Sequence, residues 1–175
     1  MPHTRILICT VLALAATAGV RAMIAGDIEI RLLGIGDEAV LDSVAEEVFD
    51  HAINPNFLRE YLAEPHFHLA VAVDAGIVVG MASAVDYIHP DKPRELRINE
   101  VGVAASHRGR GIAKRLLHAL FAHGRELRCR QAWVLTNRSN AAAMRLYASL
   151  GGIAKAADTM MFEFEFQDGD ADATQ

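Results

Sequence analysis

The chain has 175 residues, of which 52% are hydrophobic and 22% are charged, and its formal net charge is -5. This length and composition predict one globular domain with a sizeable core, while the negative charge argues against nucleic acid as the main partner and leaves room for a cationic substrate. Cys9 and Cys129 lie far apart, with no His/Cys cluster beside them, so neither a disulfide framework nor a metal site is expected.

Residues 1–22 imitate a secretory signal. An apolar run over residues 6–20 follows Arg5, and Ala-Thr-Ala at 16–18 resembles a small-residue cleavage site. The run is too short for a comfortable membrane span, and no membrane partner is expected. Because Met23 stands shortly before the first predicted strand, we interpret residues 1–22 as a leader or an upstream extension outside the folded domain; export is the alternative.

Two short helices are predicted after a first strand over residues 27–33. Asp37 can cap the first helix, and Asn54 with Pro55 marks the start of the second, which ends near Ala63. The apolar stripe of the first helix is Val40, Leu41, Val44, Val48 and Phe49, and its other face carries Asp42, Glu46, Glu47 and Asp50.

A hairpin and a loop are predicted next. Residues 67–73 alternate as a strand, Asp-Ala-Gly at 74–76 forms a turn, and residues 77–87 return as a longer strand that carries Asp86. Residues 89–95 contain two prolines and alternating charges, which predicts a loop. Such a loop could border a substrate or simply connect two strands.

The most informative stretch is residues 96–117. Residues 96–103 are branched and half alternating, which predicts a strand, and this strand carries Glu100. Residues 108–113, Arg-Gly-Arg-Gly-Ile-Ala, then bring two glycines to the start of a helix whose apolar positions recur at helical spacing through Phe121. The sequence therefore predicts a strand, a glycine-rich turn and a helix N-terminus.

This glycine-rich turn is suited to phosphate. The first N–H groups of a helix have no partners within it, and the helix dipole adds partial positive charge there. Glycine allows close approach of a ligand, and Arg108 and Arg110 add full charges. We expect a phosphate or pyrophosphate site. The turn lacks the Gly-Lys-Ser/Thr of nucleoside-triphosphate loops and the Gly-x-Gly-x-x-Gly spacing of dinucleotide sites, and the alternative is an ordinary glycine-rich turn.

The rest of the chain predicts a strand over residues 131–136 and a helix from about Ala141 to Leu150, which Gly-Gly at 151–152 ends. Residues 159–166 alternate as a strand whose polar face carries two carboxylates, and residues 168–175 form a polar tail. The two carboxylates are Glu163 and Glu165.

Two motifs in the right order resemble the GCN5-related N-acetyltransferase (GNAT) family. Arg108-x-x-Gly111-x-Ala113 is similar to the family's loop motif, Gln/Arg-x-x-Gly-x-Gly/Ala, and residues 140–151 read Asn-x-x-Ala-x-x-Leu-Tyr-x-x-Leu-Gly, as in its second signature. The resemblance covers about residues 28–166. It implies an α/β fold: a single domain over residues 23–167 with a mixed, mostly antiparallel sheet splayed at the cofactor site, helices on both faces and a flexible tail.

The resemblance also implies the cosubstrate and its contacts. Family members hold the pyrophosphate of acetyl-coenzyme A with the loop backbone, and a bulge in the central strand lets pantetheine pair with that strand. The implied cofactor-binding residues are Val101, Gly102, Val103, Arg108, Gly109, Arg110, Gly111, Ile112, Ala113, Asn140 and Ala143. Because acetyl-coenzyme A is a cytoplasmic cosubstrate, a cytoplasmic location is implied. Homodimers are common in the family, which is an analogy only.

Acetylation of an amine requires a base, since aliphatic amines are mostly protonated at neutral pH. Glu100 is the candidate general base because it lies on the central strand beside the cofactor loop. In family terms, Tyr147 points its hydroxyl at the thioester sulfur and would protonate the departing thiolate. The alternatives are a surface or structural carboxylate at Glu100 and, for Tyr147, a place on the apolar face of its helix.

Within the family, residues 93–113 are similar to aminoglycoside 3-N-acetyltransferases of the GNAT type, which implies a small cationic amine as substrate. Residues 136–140 depart from those enzymes, which are more acidic there. Candidate acceptor-binding carboxylates near the implied site are Asp86, Glu100, Glu163 and Glu165. We expect N-acetylation of an aminoglycoside; the alternatives are a polyamine, an amino acid or a protein N-terminus as acceptor, or a non-catalytic acyl-coenzyme A-binding regulator.

Overall fold

The computed structural model describes residues 28–155, and within this range the chain forms five strands and three α-helices. They are β1 (Glu29–Leu33), α1 (Pro55–Ala63), β2 (Phe67–Asp74), β3 (Ile77–His89), β4 (Lys92–Val103), α2 (Ile112–Glu126), β5 (Gln131–Val134) and α3 (Ala141–Ser149). The interpreted leader, the predicted strand over 159–166 and the tail lie outside the described residues. None of the helices within the described range is long and apolar enough to cross a membrane.

The strands form one mixed sheet in the order β1-β2-β3-β4-β5. The first three pairings are antiparallel, and β5 pairs with β4 in parallel. A parallel pairing needs a crossover, and α2 supplies it. The expectation of a mixed, mostly antiparallel sheet is confirmed.

The sheet opens beside a bulge in β4. The register between β3 and β4 shifts between Ser83 and Ala84, which leaves Asn99 as the extra residue on β4. β5 pairs with β4 only as far as Ile98, whereas β4 continues to Val103. The splay expected from the resemblance is therefore confirmed, and it leaves the last residues of β4 without a neighbour on the β5 side.

Alternate strand residues form a hydrophobic cluster on each face of the sheet. Ala70 and Ala72 of β2 face α2, while Leu69 and Val71 pack with α1 on the other side. α2 contributes Ile112, Leu116, Leu117 and Leu120, all at most 2% exposed. α3 packs against the α2 cluster, and the expectation of helices on both faces is confirmed.

The predicted helix over the segment after Asp37 was wrong. Only Glu38–Leu41 is helical, as a single 3-10 turn. The chain then runs alongside β3, where the Ala45 N–H donates to the Val78 carbonyl at 2.8 Å and the Val78 N–H donates to the Ser43 carbonyl at 2.9 Å. Backbone hydrogen bonds to a distant strand thus replace the local helix, although the apolar side chains are still used in the core.

The predicted loop over residues 89–95 was also wrong. β3 extends to His89 and β4 begins at Lys92, so Pro90 and Asp91 alone form the turn. A proline near the start of a strand removes a hydrogen-bond donor where pairing is only beginning, so the second proline is compatible with β4. The other helices and strands predicted within residues 28–155 agree with the structure, and Asn54 caps α1 by accepting from the Asn56 N–H at 2.9 Å.

Gly102 is required by close packing of the chain on itself. A Cβ placed on Gly102 would lie 2.3 Å from the carbonyl oxygen of Val48. Val48 follows Glu47, whose φ of 62° lies in the left-handed region that residues other than glycine seldom adopt. On this side the chain's own backbone explains the glycine, independently of any cosubstrate. This packing brings the segment before α1 against the end of β4.

A buried polar cluster fixes the C-terminal half of α2 to the sheet. Asp86 is 1% exposed, forms an ion pair with Arg94 and accepts a hydrogen bond from Nε2 of His68 at 2.8 Å. The Nδ1 atom of His68 lies 3.2 Å from Nε2 of His123 on α2. His66 lies 3.4 Å from the same carboxylate. Four structural elements therefore meet through one carboxylate.

The protonation of this cluster follows from its burial. Burial lowers the pKa of His68 and outweighs the hydrogen bond to Asp86, and the neighbouring His123 lowers it further. Burial opposes ionisation of Asp86, but the hydrogen bonds from His68 and His66 and the Arg94 guanidinium outweigh it and lower its pKa. His68 is therefore neutral, with its Nε2–H donating to Asp86 and its Nδ1 accepting from His123.

Replacing Gly102 by Ala is expected to destabilise the fold, because the new methyl group meets backbone rather than a movable side chain. Overpacking of this kind costs about 1–3 kcal/mol, and urea unfolding measures it. Gly34→Ala is the control, since nothing lies within 4 Å of a Cβ at Gly34. Equal free energies of unfolding for the two variants would contradict the packing described for Gly102.

The free energy of unfolding is expected to fall as the pH drops below about 6.5, because His68 in the unfolded chain then binds a proton that the folded ring, with its lowered pKa, does not. One such group contributes at most about 1.4 kcal/mol per pH unit. Urea unfolding as a function of pH should show a smaller slope for His68→Gln. His118→Gln, an exposed position on α2, should keep the wild-type slope. Equal slopes in all three proteins would contradict the assignment of this pH dependence to His68.

Candidate active site

An open cleft of about 1100 Å³ lies where β4 and β5 separate. The end of β4, the glycine turn, the start of α2, α3 and the segment before α1 border it. The site residues predicted from the sequence that line the cleft are Glu100, Val101, Gly102, Val103, Arg108, Gly109, Gly111, Ile112, Ala113, Asn140, Ala143 and Tyr147. The fold thus brings the two sequence motifs to one place.

The glycine turn leaves open space in front of α2. Gly109 and Gly111 have φ of 78° and 76°, which favours glycine, and a Cβ at either position would meet no atom within 4 Å. Gly111 is the N-cap of α2, and no side chain caps the helix. The first N–H groups of α2 and its partial positive charge are therefore left for an anion.

Asp74, the last residue of β2, anchors the loop that carries the glycines. The Nε2 atom of His107 lies 3.1 Å from its carboxylate, and Nη1 of Arg110 lies 3.8 Å from it. Ser106 Oγ lies 2.9 Å from the other ring nitrogen of His107. Arg110 therefore faces Asp74 and, unlike Arg108, does not line the cleft.

Arg108 is held by two contacts at the cleft. Its Nε donates to the Val103 carbonyl at 3.0 Å, and its Nη2 pairs with Glu47 at 3.0 Å. Both charged side chains remain more than half exposed. Arg108 thus links the glycine turn to the segment before α1.

The end of β4 presents backbone groups to the cleft. The Ala104 N–H donates to the Val79 carbonyl on β3 at 3.0 Å, and successive strand residues direct their backbone groups to opposite sides. Val101 and Val103 therefore point their N–H groups to the side that β5 has left. Within residues 28–155 no strand pairs with them on that side. An extended ligand could complete the pairing.

α3 forms the opposite wall. The side-chain oxygen of Asn140 caps α3 by accepting from the Ala143 N–H at 3.0 Å, which explains an asparagine here independently of any ligand. Lys114, in the first turn of α2, donates to the Ser149 carbonyl at 3.2 Å. This contact joins the start of α2 to the end of α3 beside the cleft.

The two candidate catalytic residues line the cleft from different elements. Tyr147 on α3 is half-buried, and burial raises the pKa of its phenol, so that it is protonated at neutral pH and can act as an acid. Glu100 is exposed beside the bulge of β4. Burial, and after it the charge of Glu100, raises the pKa of Tyr61 to about 12. The sequence did not predict that Tyr61 of α1 lies near Glu100, because the two residues are far apart in the chain and Tyr61 fits an ordinary apolar position of its helix.

Carboxylates and cations enter the cleft from different elements. The carboxylates are Glu47 and Asp50 from the segment before α1 and Glu100 from β4; the cations are Arg108, Lys114 and Arg145 from the glycine turn, α2 and α3. Asp86 does not line the cleft, and its charge is already paired in the buried cluster. Glu163 and Glu165 lie outside the described residues. In residues 28–155, no three His, Cys, Asp or Glu side chains are grouped as for a metal ion.

Comparison with known sequences matches residues 37–152 to the model of the acetyltransferase (GNAT) family. The N-alpha-acetyltransferase RimI of Mycobacterium tuberculosis (strain ATCC 25618 / H37Rv) is 36% identical over 97 residues, which are 54% of this chain and 57% of that protein. The chain spans about half the length of the curated relatives it matches.

Solved structures share the fold. The aminoglycoside acetyltransferase HMB0005 from an uncultured soil metagenomic sample superposes with a TM-score of 0.68 at 22% identity, covering 81% of this chain and 100% of that one. AAC(6')-Iy in complex with a bisubstrate analog has a TM-score of 0.65 at 20% identity, with the same coverage. The family match spans both motifs and most of the residues that border the cleft, and this chain belongs to the acetyltransferase (GNAT) family.

Proposed function

We propose that this protein is an acetyl-coenzyme A-dependent N-acetyltransferase that transfers the acetyl group directly to a primary amine. The observation that carries the proposal is the convergence on one cleft of a carboxylate, a protonated phenol, an open strand edge and a glycine turn at a helix N-terminus. Membership of the GNAT family supports the same chemistry.

The residues of the cleft fit acetyl-coenzyme A. The N–H groups of the glycine turn and of the first turn of α2 would hold the pyrophosphate, and Arg108 would add charge. Val101 and Val103 would pair with the pantetheine portion through their N–H groups. When bound, this cosubstrate supplies the acetyl thioester.

The proposed reaction uses Glu100 as the base and Tyr147 as the acid. Glu100 takes a proton from the acceptor ammonium, directly or through a water molecule, and the neutral amine attacks the thioester carbonyl. The new carbon–nitrogen bond would form as the carbon–sulfur bond breaks, and the Tyr147 hydroxyl would protonate the departing thiolate. The nitrogen loses its second proton to solvent as it becomes an amide, and the Tyr147 phenolate regains a proton from solvent. An N–H group at the end of β4 would stabilise the oxygen that gains negative charge.

The acceptor indicated by the sequence resemblance is an aminoglycoside amine, with the 3-N position resting on that resemblance alone. The carboxylates Glu47, Asp50 and Glu100 support a cationic acceptor, because each can bind an ammonium group. Several solved structures with this fold are aminoglycoside acetyltransferases. Their sequence identities to this chain are low and support a shared fold only.

A peptide α-amine is the second candidate acceptor. It is favoured by the match to RimI, an N-alpha-acetyltransferase, at 36% identity.

The two acceptors are distinguished by offering gentamicin, kanamycin, spermidine and a short peptide to the purified protein with acetyl-coenzyme A and identifying the product by mass spectrometry. We expect acetylation of a primary amine. Products confined to the aminoglycosides support the first acceptor, and α-acetylated peptide supports the second. Tight coenzyme A binding without acetylation of any amine would contradict the proposed activity and favour a non-catalytic regulator.

Glu100→Gln is expected to lower kcat/KM by about 10²–10⁴-fold and to remove the acidic limb of its pH profile, because the amide cannot accept the proton. Coenzyme A affinity should be retained. Steady-state kinetics across pH measure both effects, and Glu60→Gln, an exposed position on α1, is the control. A variant with wild-type kinetics at every pH would show that Glu100 is not the base.

A further inference from the structure

An ion pair at the cleft joins Arg108 of the glycine turn to Glu47 of the segment before α1. Resting on the proposed function, we infer that Glu47 is an exchangeable counter-ion. It holds Arg108 in the free protein and becomes a ligand of the cationic acceptor once a phosphate of the cosubstrate takes Arg108.

The geometry supports an exchange of partners rather than a movement of the fold. Nη2 of Arg108 contacts Oε2 of Glu47 at 3.0 Å, and the two side chains are 62% and 59% exposed. The Nε of Arg108 is separately anchored on the Val103 carbonyl at 3.0 Å. The guanidinium can therefore stay in place while its outer nitrogen changes partner.

Surrounding contacts hold the backbone of Glu47 in an unusual conformation. Its φ of 62° is unfavourable for a residue other than glycine, and such strain persists only where surrounding contacts enforce it. Those contacts are the Val48 carbonyl packed on Gly102 and the hydrogen bond from the Ala45 N–H to the Val78 carbonyl. The strained position presents a carboxylate to the glycine turn, whereas the neighbouring Glu46 does not line the cleft.

Competition for Arg108 gives the exchange its direction. The pyrophosphate carries two negative charges, one more than a carboxylate, and can bind the guanidinium fork through two oxygens, whereas Glu47 contacts it through Oε2, so the pyrophosphate displaces Glu47. The released carboxylate then adds its charge to those of Asp50 and Glu100, which border the same cleft. The two substrates therefore bind with positive coupling, and by linkage each raises the affinity for the other equally.

Calorimetric titration with coenzyme A tests the exchange on the wild type, Glu47→Gln and Glu46→Gln. Because exposed ion pairs are weak, we expect Glu47→Gln to bind coenzyme A about 1.5- to 5-fold more tightly. Glu46→Gln removes the same charge one residue away and corrects for the general effect on an anionic ligand. Equal affinities in the two variants would overturn the exchange.

The transfer of Glu47 to the acceptor is tested with the same three proteins. At saturating acetyl-coenzyme A, Glu47→Gln should raise the KM for the amine about 1.5- to 5-fold with kcat retained, and Glu46→Gln should resemble the wild type. Tighter coenzyme A binding with an unchanged KM would overturn the role toward the acceptor. A wild-type protein that binds no coenzyme A would overturn the proposed function, and this inference with it.

Discussion

The end of pairing between β4 and β5 at Ile98, beside the bulge at Asn99, is the constraint on which the site depends. If β5 had paired with β4 to its end, the backbone N–H groups of β4 would all be hydrogen-bonded within the sheet and the cleft would be closed. Because pairing stops early, the N–H groups of Val101 and Val103 face open space, and Glu100 stands at the same opening. The parallel pairing of β4 and β5 requires a crossover connection, which α2 supplies. The glycine turn and the N-terminus of α2 lie at this gap.

The position of that helix is secured at both ends by polar contacts of different kinds. At the N-terminal end, His107 binds Asp74 and Lys114 binds α3. At the other end, His123 meets the buried pair of His68 and Asp86. Between them Leu116, Leu117 and Leu120 of α2 are fully buried against the sheet. A phosphate-binding turn benefits from such support, because N–H groups held in place need little reordering on binding.

Patterns among neighbouring residues predicted most of the helices and strands, and they identified both motifs. The glycines before α2, the Asn54 cap of α1 and the alternation in β2 and β3 are signals carried by neighbouring residues. The errors arose where distant contacts decide. The apolar spacing after Asp37 fits a helix, but hydrogen bonds to Val78 of β3 override it.

The roles of single charged residues depended even more on distant partners. Asp86 looked available to a substrate, and only the fold shows that Arg94 and two histidines enclose it. The pairing of Glu47 with Arg108 joins residues far apart in sequence and has no local signature. Backbone hydrogen exchange with and without coenzyme A tests the central claim most directly. Slower exchange at Val101, Val103 and residues 109–113, with α1 unchanged, is the predicted result; unchanged exchange at these amides when coenzyme A is bound would contradict it.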